Sequence, residues 1–134
     1  MRLRAMAKIN LGLDVVRKRE DGYHDVRMVM QTIRMYDFLE ITPKKSKGIF
    51  LTTNLPYVPV DERNLVYKAA KLLMDEFHVD DGVRIQLQKF IPVAAGMAGG
   101  SSDAAATLVG INRIFHLGLT PAELMRRGVA IGAD

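Results

Sequence analysis

A run of glycine and serine that leads into an alanine-rich segment is the part of this sequence best suited to chemistry. Its members are Gly96, Gly99, Gly100, Ser101 and Ser102. Glycine lets the backbone approach a ligand closely, and the first turn of a helix presents unpaired N–H groups at the positive end of a dipole. These features predict an anion site, most naturally for phosphate, to which the hydroxyls add hydrogen bonds or a metal contact. A tight strand-to-helix turn with a serine N-cap explains the same residues, so both interpretations stand at this point.

The glycine run does not follow the common nucleotide-binding patterns. No lysine follows the glycines as in G-x-x-x-x-G-K-[ST], and their spacing is not G-x-G-x-x-G. The His-Arg-Asp and Asp-Phe-Gly motifs of protein kinases are also absent. A phosphate site at this run therefore belongs to another loop-and-helix design.

Composition limits the class of protein. A chain of 134 residues predicts one domain with a real core, and 49% hydrophobic with 25% charged residues is ordinary for a globular protein. The absence of cysteine excludes disulfides and thiolate metal sites and fits the cytoplasm, where we expect the protein. The sequence has no apolar run of membrane-span length and no signal-peptide core. A net charge of +4 suits anionic small molecules or RNA.

The elements that must position the glycine run follow from hydrophobic periodicity. Alternating apolar residues predict strands over residues 3–16, 26–34, 36–42, 49–53 and 83–89. Helical spacing predicts helices over residues 64–77, 102–115 and 120–131. This order predicts an α+β fold, with a mostly antiparallel sheet covered by helices on one face. Because the sequence stops directly after a helical segment, we expect it to be part of a longer protein.

Four stretches, taken in order, carry a family resemblance. They are residues 7–11 (AKINL), 21–24 (DGYH), 91–106 and 132–134 (GAD). Together they resemble the family of 4-diphosphocytidyl-2-C-methyl-D-erythritol kinases in the GHMP kinase superfamily. The resemblance covers nearly the whole chain and about the first half of such an enzyme. It implies that residues 1–134 are the N-terminal, ATP-binding GHMP domain, with a fold like ribosomal protein S5 domain 2, and that the C-terminal GHMP domain is absent.

The resemblance also implies an activity. Members of the family use ATP and Mg²⁺ to phosphorylate the 2-hydroxyl of 4-diphosphocytidyl-2-C-methyl-D-erythritol, a cytidine diphosphate methylerythritol, in non-mevalonate isoprenoid (terpenoid) biosynthesis. We expect a small-molecule substrate, no nucleic-acid or membrane partner, and a monomer or homodimer. We expect residues 1–134 alone to have little or no kinase activity.

By the same resemblance, Lys8 and Asp134 are the catalytic pair. In phosphoryl transfer a carboxylate accepts the proton of the acceptor hydroxyl, and a nearby ammonium keeps that carboxylate ionised. Asn10 lies two residues from Lys8, on the same face of the predicted strand, and is expected to contact the substrate. Tyr23 and His24 resemble the pair that recognises cytosine by stacking and hydrogen bonding.

ATP binding is assigned by resemblance to the glycine run and to two further positions. Asn64 and Lys89 resemble residues that line an adenine pocket; otherwise Asn64 is a fair helix N-cap and Lys89 a solvated strand end. Ser102 is the candidate Mg²⁺ contact, and Asp103 is either a first-turn carboxylate that offsets the helix dipole or a ligand. Met97 stands where leucine is commoner, a change that conserves volume. The full predicted ATP-binding set is Pro92, Val93, Ala94, Ala95, Gly96, Met97, Ala98, Gly99, Gly100, Ser101, Ser102, Asn64 and Lys89.

Two other functions stay open on the sequence. Another GHMP kinase, acting on a different alcohol or phosphate, would share the glycine run but would not need Tyr23 and His24 for a cytidine substrate. A nucleic-acid-binding module of the same fold would use the net positive charge, and its affinity would fall steeply with salt. The basic residues, however, do not form one run with interleaved aromatic residues.

Overall fold

The strands of the computed structural model, which describes residues 1–18, 24–91 and 99–132, form one sheet in the order β1-β2-β4-β3. Side chains are described for residues 1–5, 36–91 and 100–132. The elements in chain order are β1 (Arg2–Lys18), β2 (His24–Lys44), β3 (Ile49–Thr53), α1 (Leu65–Glu76), β4 (Gly82–Gln88), α2 (Gly99–Ile114) and α3 (Pro121–Ala130). Strand β2 pairs antiparallel with β1 and β4, whereas β3 runs parallel to β4. The predicted α+β fold with a mostly antiparallel sheet is confirmed.

Strand β2 replaces two predicted strands, over residues 26–34 and 36–42, with one. The ladder to β1 shifts register where the break was expected, since Met6 pairs with Tyr36 but Lys8 pairs with Thr32. Between these two pairs β1 advances by two residues and β2 by four, and such an unequal step is typical of a β-bulge. The strand therefore continues through this point instead of leaving the sheet.

The core lies between one face of the sheet and the helices. Along β4, the side chains of Val83, Ile85 and Leu87 are buried, while the residues between them are exposed. Helices α1 and α2 pack over this apolar face and against each other. Their buried side chains are Val66, Ala69, Ala70, Leu73 and Met74 in α1 and Ala104, Leu108 and Ile111 in α2. The described residues contain no helix long and apolar enough to span a membrane.

Local signals begin and end the helices. Helix α3 starts with the predicted capping box, in which Thr120 and Glu123 satisfy each other's backbone N–H groups. Helices α1 and α2 end with His78 and His116 in the left-handed region, at φ values of 51° and 53°. Val79, which follows His78, donates its N–H to the Met74 carbonyl at 2.9 Å. Leu117, which follows His116, donates its N–H to the Asn112 carbonyl at 3.0 Å. Both ends are therefore Schellman motifs, with histidine in the position that glycine usually takes.

Two glycines provide a matched test of this packing. A Cβ added at Gly82 would lie 1.8 Å from the Ser46 carbonyl oxygen, so the turn after β2 must move. A Cβ added at Gly128, inside α3, would meet Leu108 Cδ1 at an ordinary 3.6 Å. We expect Gly82→Ala to lower the free energy of unfolding by about 1–3 kcal/mol or more. Gly128→Ala should raise it by about 0.5–1 kcal/mol, because alanine favours the helix.

Denaturant unfolding of the purified protein and both variants measures these changes. Equal stability of Gly82→Ala and the parent protein would show that the turn does not press on the start of β4.

Candidate active site

The end of the glycine run forms the start of α2. The helix begins at Gly99, three residues before the predicted Ser102, and its first turn contains no acidic residue. Gly100 is exposed, and among the described residues a Cβ there would meet only Leu65 Cδ1, at 3.9 Å. The described part of the chain therefore does not crowd the backbone of Gly100. Because the helix starts early, the expectation that Asp103 lies in the first turn is wrong.

The predicted acceptor-side residues lie partly in the β1–β2 hairpin. Strand β1 places Lys8 opposite Thr32 and Asn10 opposite Met30, and His24 is the first residue of β2. The side chains of these residues are outside the described set. Their roles stay predictions.

Several predicted site residues lie outside the described residues altogether. These are Tyr23, residues 92–98 of the glycine run, and Asp134. The described residues end at Ile91 before the run and begin again at Gly99 within it. What the structure describes is therefore the two flanks of the predicted phosphate loop.

A buried cluster of three charged side chains lies between those flanks. The Lys89 ammonium donates to Asp37 Oδ2 at 2.8 Å and to Asp103 Oδ2 at 2.6 Å. The side chain of Lys89 is 7% exposed, and those of Asp37 and Asp103 are 0% and 2% exposed. The alternative expectation that Lys89 is a solvated strand end is therefore wrong. Its ammonium is held by the side chains of Asp37 and Asp103, and its contact with adenine stays a prediction.

Asp37 also binds the backbone that enters the loop. Its Oδ1 accepts hydrogen bonds from the N–H groups of Phe90 at 2.7 Å and Ile91 at 2.8 Å. Just before them, the Asn54 side chain accepts from the N–H of Lys89 at 2.8 Å and donates to its carbonyl at 3.2 Å. The amide of Asn54 thus holds Lys89 as a neighbouring strand would. The cluster and this amide join the β2 strand, the end of β3 and the segment after β4.

The balance of charge in the cluster sets its protonation. Burial, followed by a hydrogen bond with the Asp37 carboxyl, raises the pKa of Asp103 to about 8. Burial opposes ionisation of Asp37 as well, but hydrogen bonds with Asp103, Ile91, Lys89 and Phe90 outweigh it and lower the pKa of Asp37. Burial likewise opposes the charge on Lys89, yet hydrogen bonds to both carboxylates raise its pKa. At neutral pH the cluster is an ion pair beside a protonated acid, so no net charge is buried.

Asn64 is the N-cap of α1. Its Oδ1 accepts from the N–H of Val66 at 2.8 Å, and its Nδ2 donates to the Pro59 carbonyl at 2.9 Å. The N-cap interpretation of Asn64 is confirmed. Since both ends of the amide already have partners, a contact between this side chain and adenine stays a prediction.

Sequence reasoning missed Asp37 and Asn54. A signal for Asp37 exists, because it lies two residues before the buried Leu39 and so falls on the inward face of β2. Lys89 follows the buried Leu87 by two residues in the same way. A charged residue at an inward position of an alternating strand predicts a buried partner of opposite charge. No comparable signal marks Asn54.

The protonated state of Asp103 predicts a pH dependence of stability. Between its ordinary pKa of 3.8 and about 8, the folded state holds a proton on Asp103 that the unfolded state releases. Folding stability contributed by this group therefore falls as pH rises through that window. Asp103→Asn cannot titrate. The free energy of unfolding of the variant, relative to the parent, should rise from about pH 4 to about pH 8 and then level off.

Urea unfolding at a series of pH values gives this difference directly. The matched control is Asp75→Asn, which removes the carboxylate of an exposed pair with Lys71. A difference between Asp103→Asn and the parent that does not change with pH would contradict a proton held on Asp103.

Comparisons with known proteins extend the structural result. The profile of the GHMP kinases N terminal domain matches residues 64–134, a little over half of the chain. The chain is 57% identical, over all 134 residues, to the 4-diphosphocytidyl-2-C-methyl-D-erythritol kinase of Lachnospira eligens, and 55% identical over 132 residues to that of Bacillus cytotoxicus. The two alignments cover 100% and 98% of this chain but only 46% of each relative. The chain therefore spans about half the length of the curated relatives it matches.

Solved structures agree with this assignment. A crystal structure of 4-(cytidine 5'-diphospho)-2C-methyl-D-erythritol kinase matches 100% of this chain and 47% of its own, with a TM-score of 0.75 and 37% identity. The mevalonate kinase of Methanococcus jannaschii matches 98% of this chain and 45% of its own, with a TM-score of 0.73 and 18% identity, which shows the shared fold. The domain profile and the helix-covered sheet agree, and the chain belongs to the GHMP kinases, with residues 64–134 matching their N-terminal domain.

Proposed function

We propose that the full-length protein transfers the γ-phosphoryl group of ATP to the 2-hydroxyl of 4-diphosphocytidyl-2-C-methyl-D-erythritol, a step of isoprenoid precursor biosynthesis, in the cytoplasm. The observation that carries this proposal is the 57% identity to a kinase of that name over all 134 residues. The matched length includes the hairpin with Lys8 and the glycine run. A monomer or a homodimer is compatible with this function.

The start of α2 supports phosphate binding in this proposal. An anion is favoured at a helix N-terminus, and the first turn of α2 has no carboxylate to repel it. Among the described side chains, those of residues 1–5, 36–91 and 100–132, no cluster of three or more His, Asp or Glu residues could hold a metal ion. This suits Mg²⁺, which commonly binds through substrate phosphates and one or two protein ligands. We assign Ser102 as one such ligand; the bound ion neutralises charge on the phosphate oxygens.

The chemistry assigns one role to each acceptor-side residue. The 2-hydroxyl oxygen forms a bond to the γ-phosphorus while the bond from that phosphorus to the β–γ bridging oxygen breaks, and ADP leaves. Asp134 accepts the hydroxyl proton. Lys8 keeps that carboxylate ionised and lies against the transferred group. Tyr23 stacks on the cytosine and His24 hydrogen-bonds its polar edge, while Asn10 contacts the substrate near Lys8.

Replacement of Asp134 tests the catalytic assignment. In the full-length protein, Asp134→Asn removes the proton acceptor but keeps the size of the side chain. We expect kcat to fall by about 10²–10⁴-fold, as measured by ADP formation with ATP, Mg²⁺ and the cytidine substrate, while ATP binding survives. The control Asp75→Asn, on the exposed face of α1, should retain kcat. Loss of ATP binding in Asp134→Asn would assign this residue a structural role instead.

Replacement of Tyr23 and His24 separates this kinase from another GHMP kinase. Loss of base stacking costs about 1–3 kcal/mol, so Tyr23→Ala should raise KM for the cytidine substrate by about 5- to 150-fold. We expect His24→Ala to raise the same KM, and neither variant to change KM for ATP. Phe50→Ala removes an exposed aromatic ring from the edge strand β3 and is the matched control. An unchanged KM for the cytidine substrate, or preferential turnover of mevalonate or homoserine, would favour a different acceptor.

A further inference from the structure

We infer that Asp37, Lys89 and Asp103 are positioning residues that set the distance and orientation between the two flanks of the phosphate loop. The inference rests on the proposed function, because it takes residues 92–102 as the loop that binds ATP phosphates. The cluster contacts the chain on both sides of that loop. Its described hydrogen bonds do not reach α1 or α3.

The flank before the loop is fixed by hydrogen bonds to consecutive residues. Asp37 Oδ1 accepts from the N–H groups of Phe90 and Ile91, and Asn54 holds both backbone polar groups of Lys89. Strand β4 ends at Gln88, so these three residues have no ladder of their own. Side chains from β2 and from the end of β3 therefore supply the bonds that the sheet no longer provides.

The flank after the loop is fixed through the ammonium group. Lys89 Nζ reaches Asp103 in the second turn of α2, and the hydroxyl of Thr107 donates to the Asp103 carbonyl at 2.8 Å. Asp103 lies four residues beyond Gly99, where the helix begins. One side chain, that of Lys89, thus links the residue three positions before the loop to the helix whose N–H groups would face the phosphates.

Stability alone does not account for a charged cluster at this place. A buried ion pair often contributes no more than apolar residues of the same volume, because desolvation offsets the attraction. A hydrogen-bonded ion pair does, however, specify one geometry, which apolar packing does less strictly. Phosphoryl transfer is sensitive to such geometry, since a displacement of 1 Å can cost about 10²-fold in rate. The cluster lies where that geometry is set.

Two substitutions at Asp103 test the link to α2. Asp103→Ala removes the acceptor of the ammonium, whereas Asp103→Asn keeps an oxygen that can accept from Lys89. In the full-length protein, we expect Asp103→Ala to weaken MgATP binding by about tenfold, as measured by calorimetric titration in the absence of the cytidine substrate. Asp103→Asn should restore most of the affinity. We expect KM for the cytidine substrate to change in neither variant, because the substituted residue lies on α2, whereas Tyr23 and His24 stand at the start of β2 in the sequence.

A charge-balanced double variant separates positioning from stability. Asp37→Asn with Lys89→Met removes the ion pair, keeps an oxygen for the N–H groups of Phe90 and Ile91, and leaves Asp103 protonated. We expect its free energy of unfolding to exceed that of Lys89→Met alone, which strands a buried anion. Its affinity for MgATP should nevertheless stay about tenfold below that of the parent.

Two controls complete the design. Lys71→Met with Asp75→Asn makes the same chemical change in an exposed ion pair on α1 and should leave ATP affinity unchanged. Ile85→Val lowers stability by about 0.5–1.5 kcal/mol in β4 without touching the cluster, and should also leave ATP affinity unchanged. If Ile85→Val weakened ATP binding as much as Asp103→Ala, a general loss of stability would replace the positioning role.

The outcomes distinguish this inference from the proposed function. A parent protein that binds no MgATP would overturn the proposed ATP-dependent activity. A parent that binds MgATP, together with folded Asp103→Ala and double variants that bind it equally well, would overturn the positioning role alone. If the double variant does not fold, the comparison of Asp103→Ala with Asp103→Asn still decides the question.

Discussion

The architecture around the glycine run depends on one interaction, the ammonium of Lys89 held between two buried aspartate side chains. A charge that is removed from water must find a partner, and here the partners lie on β2 and α2, 52 and 14 residues away in sequence. Three elements distant along the chain are therefore brought to one point. Their relative positions determine where the chain leaves β4 and where it enters α2, and so where the ends of the predicted phosphate loop lie.

Helix α2 has two tasks that depend on different parts of its sequence. Near its middle, Gly110 allows close approach to the sheet: a Cβ there would lie 2.6 Å from Ile41 Cδ1 and 3.1 Å from Leu3 Cδ1. Near its start, Asp103 ties the helix to the end of β4. Close packing sets the height of the helix above the sheet, and the ion pair limits its sliding along the sheet. An anion site at a helix N-terminus needs both, because its N–H groups act only over short distances.

The fold was predictable to the extent that it rests on local periodicity. Every helix and the edge strand β3 were placed correctly to within about three residues at each end, which is usual for boundaries read from pattern. The bulge that joins residues 26–42 was not predictable, because it depends on pairing with β1. The buried cluster was missed for the same reason. The inward phase of their strands is the one local signal that Asp37 and Lys89 carry, and the partners that complete the cluster lie far away in sequence.

Strand β2 emerges as the common reference for both sides of the proposed reaction. On one side it pairs with β1, where Thr32 lies opposite Lys8, the predicted acceptor-side cation. On the other, Asp37, five residues further along β2, binds the chain that enters the phosphate loop. One of the three register shifts of the β1–β2 ladder, that between Met6 and Lys8, falls between these two positions. A bulge adds local twist and re-aims the residues beyond it. The pairing position of Lys8 on β2 therefore depends on this irregularity, and a regular ladder continued from the Met6–Tyr36 pair would place Lys8 opposite a different residue of β2.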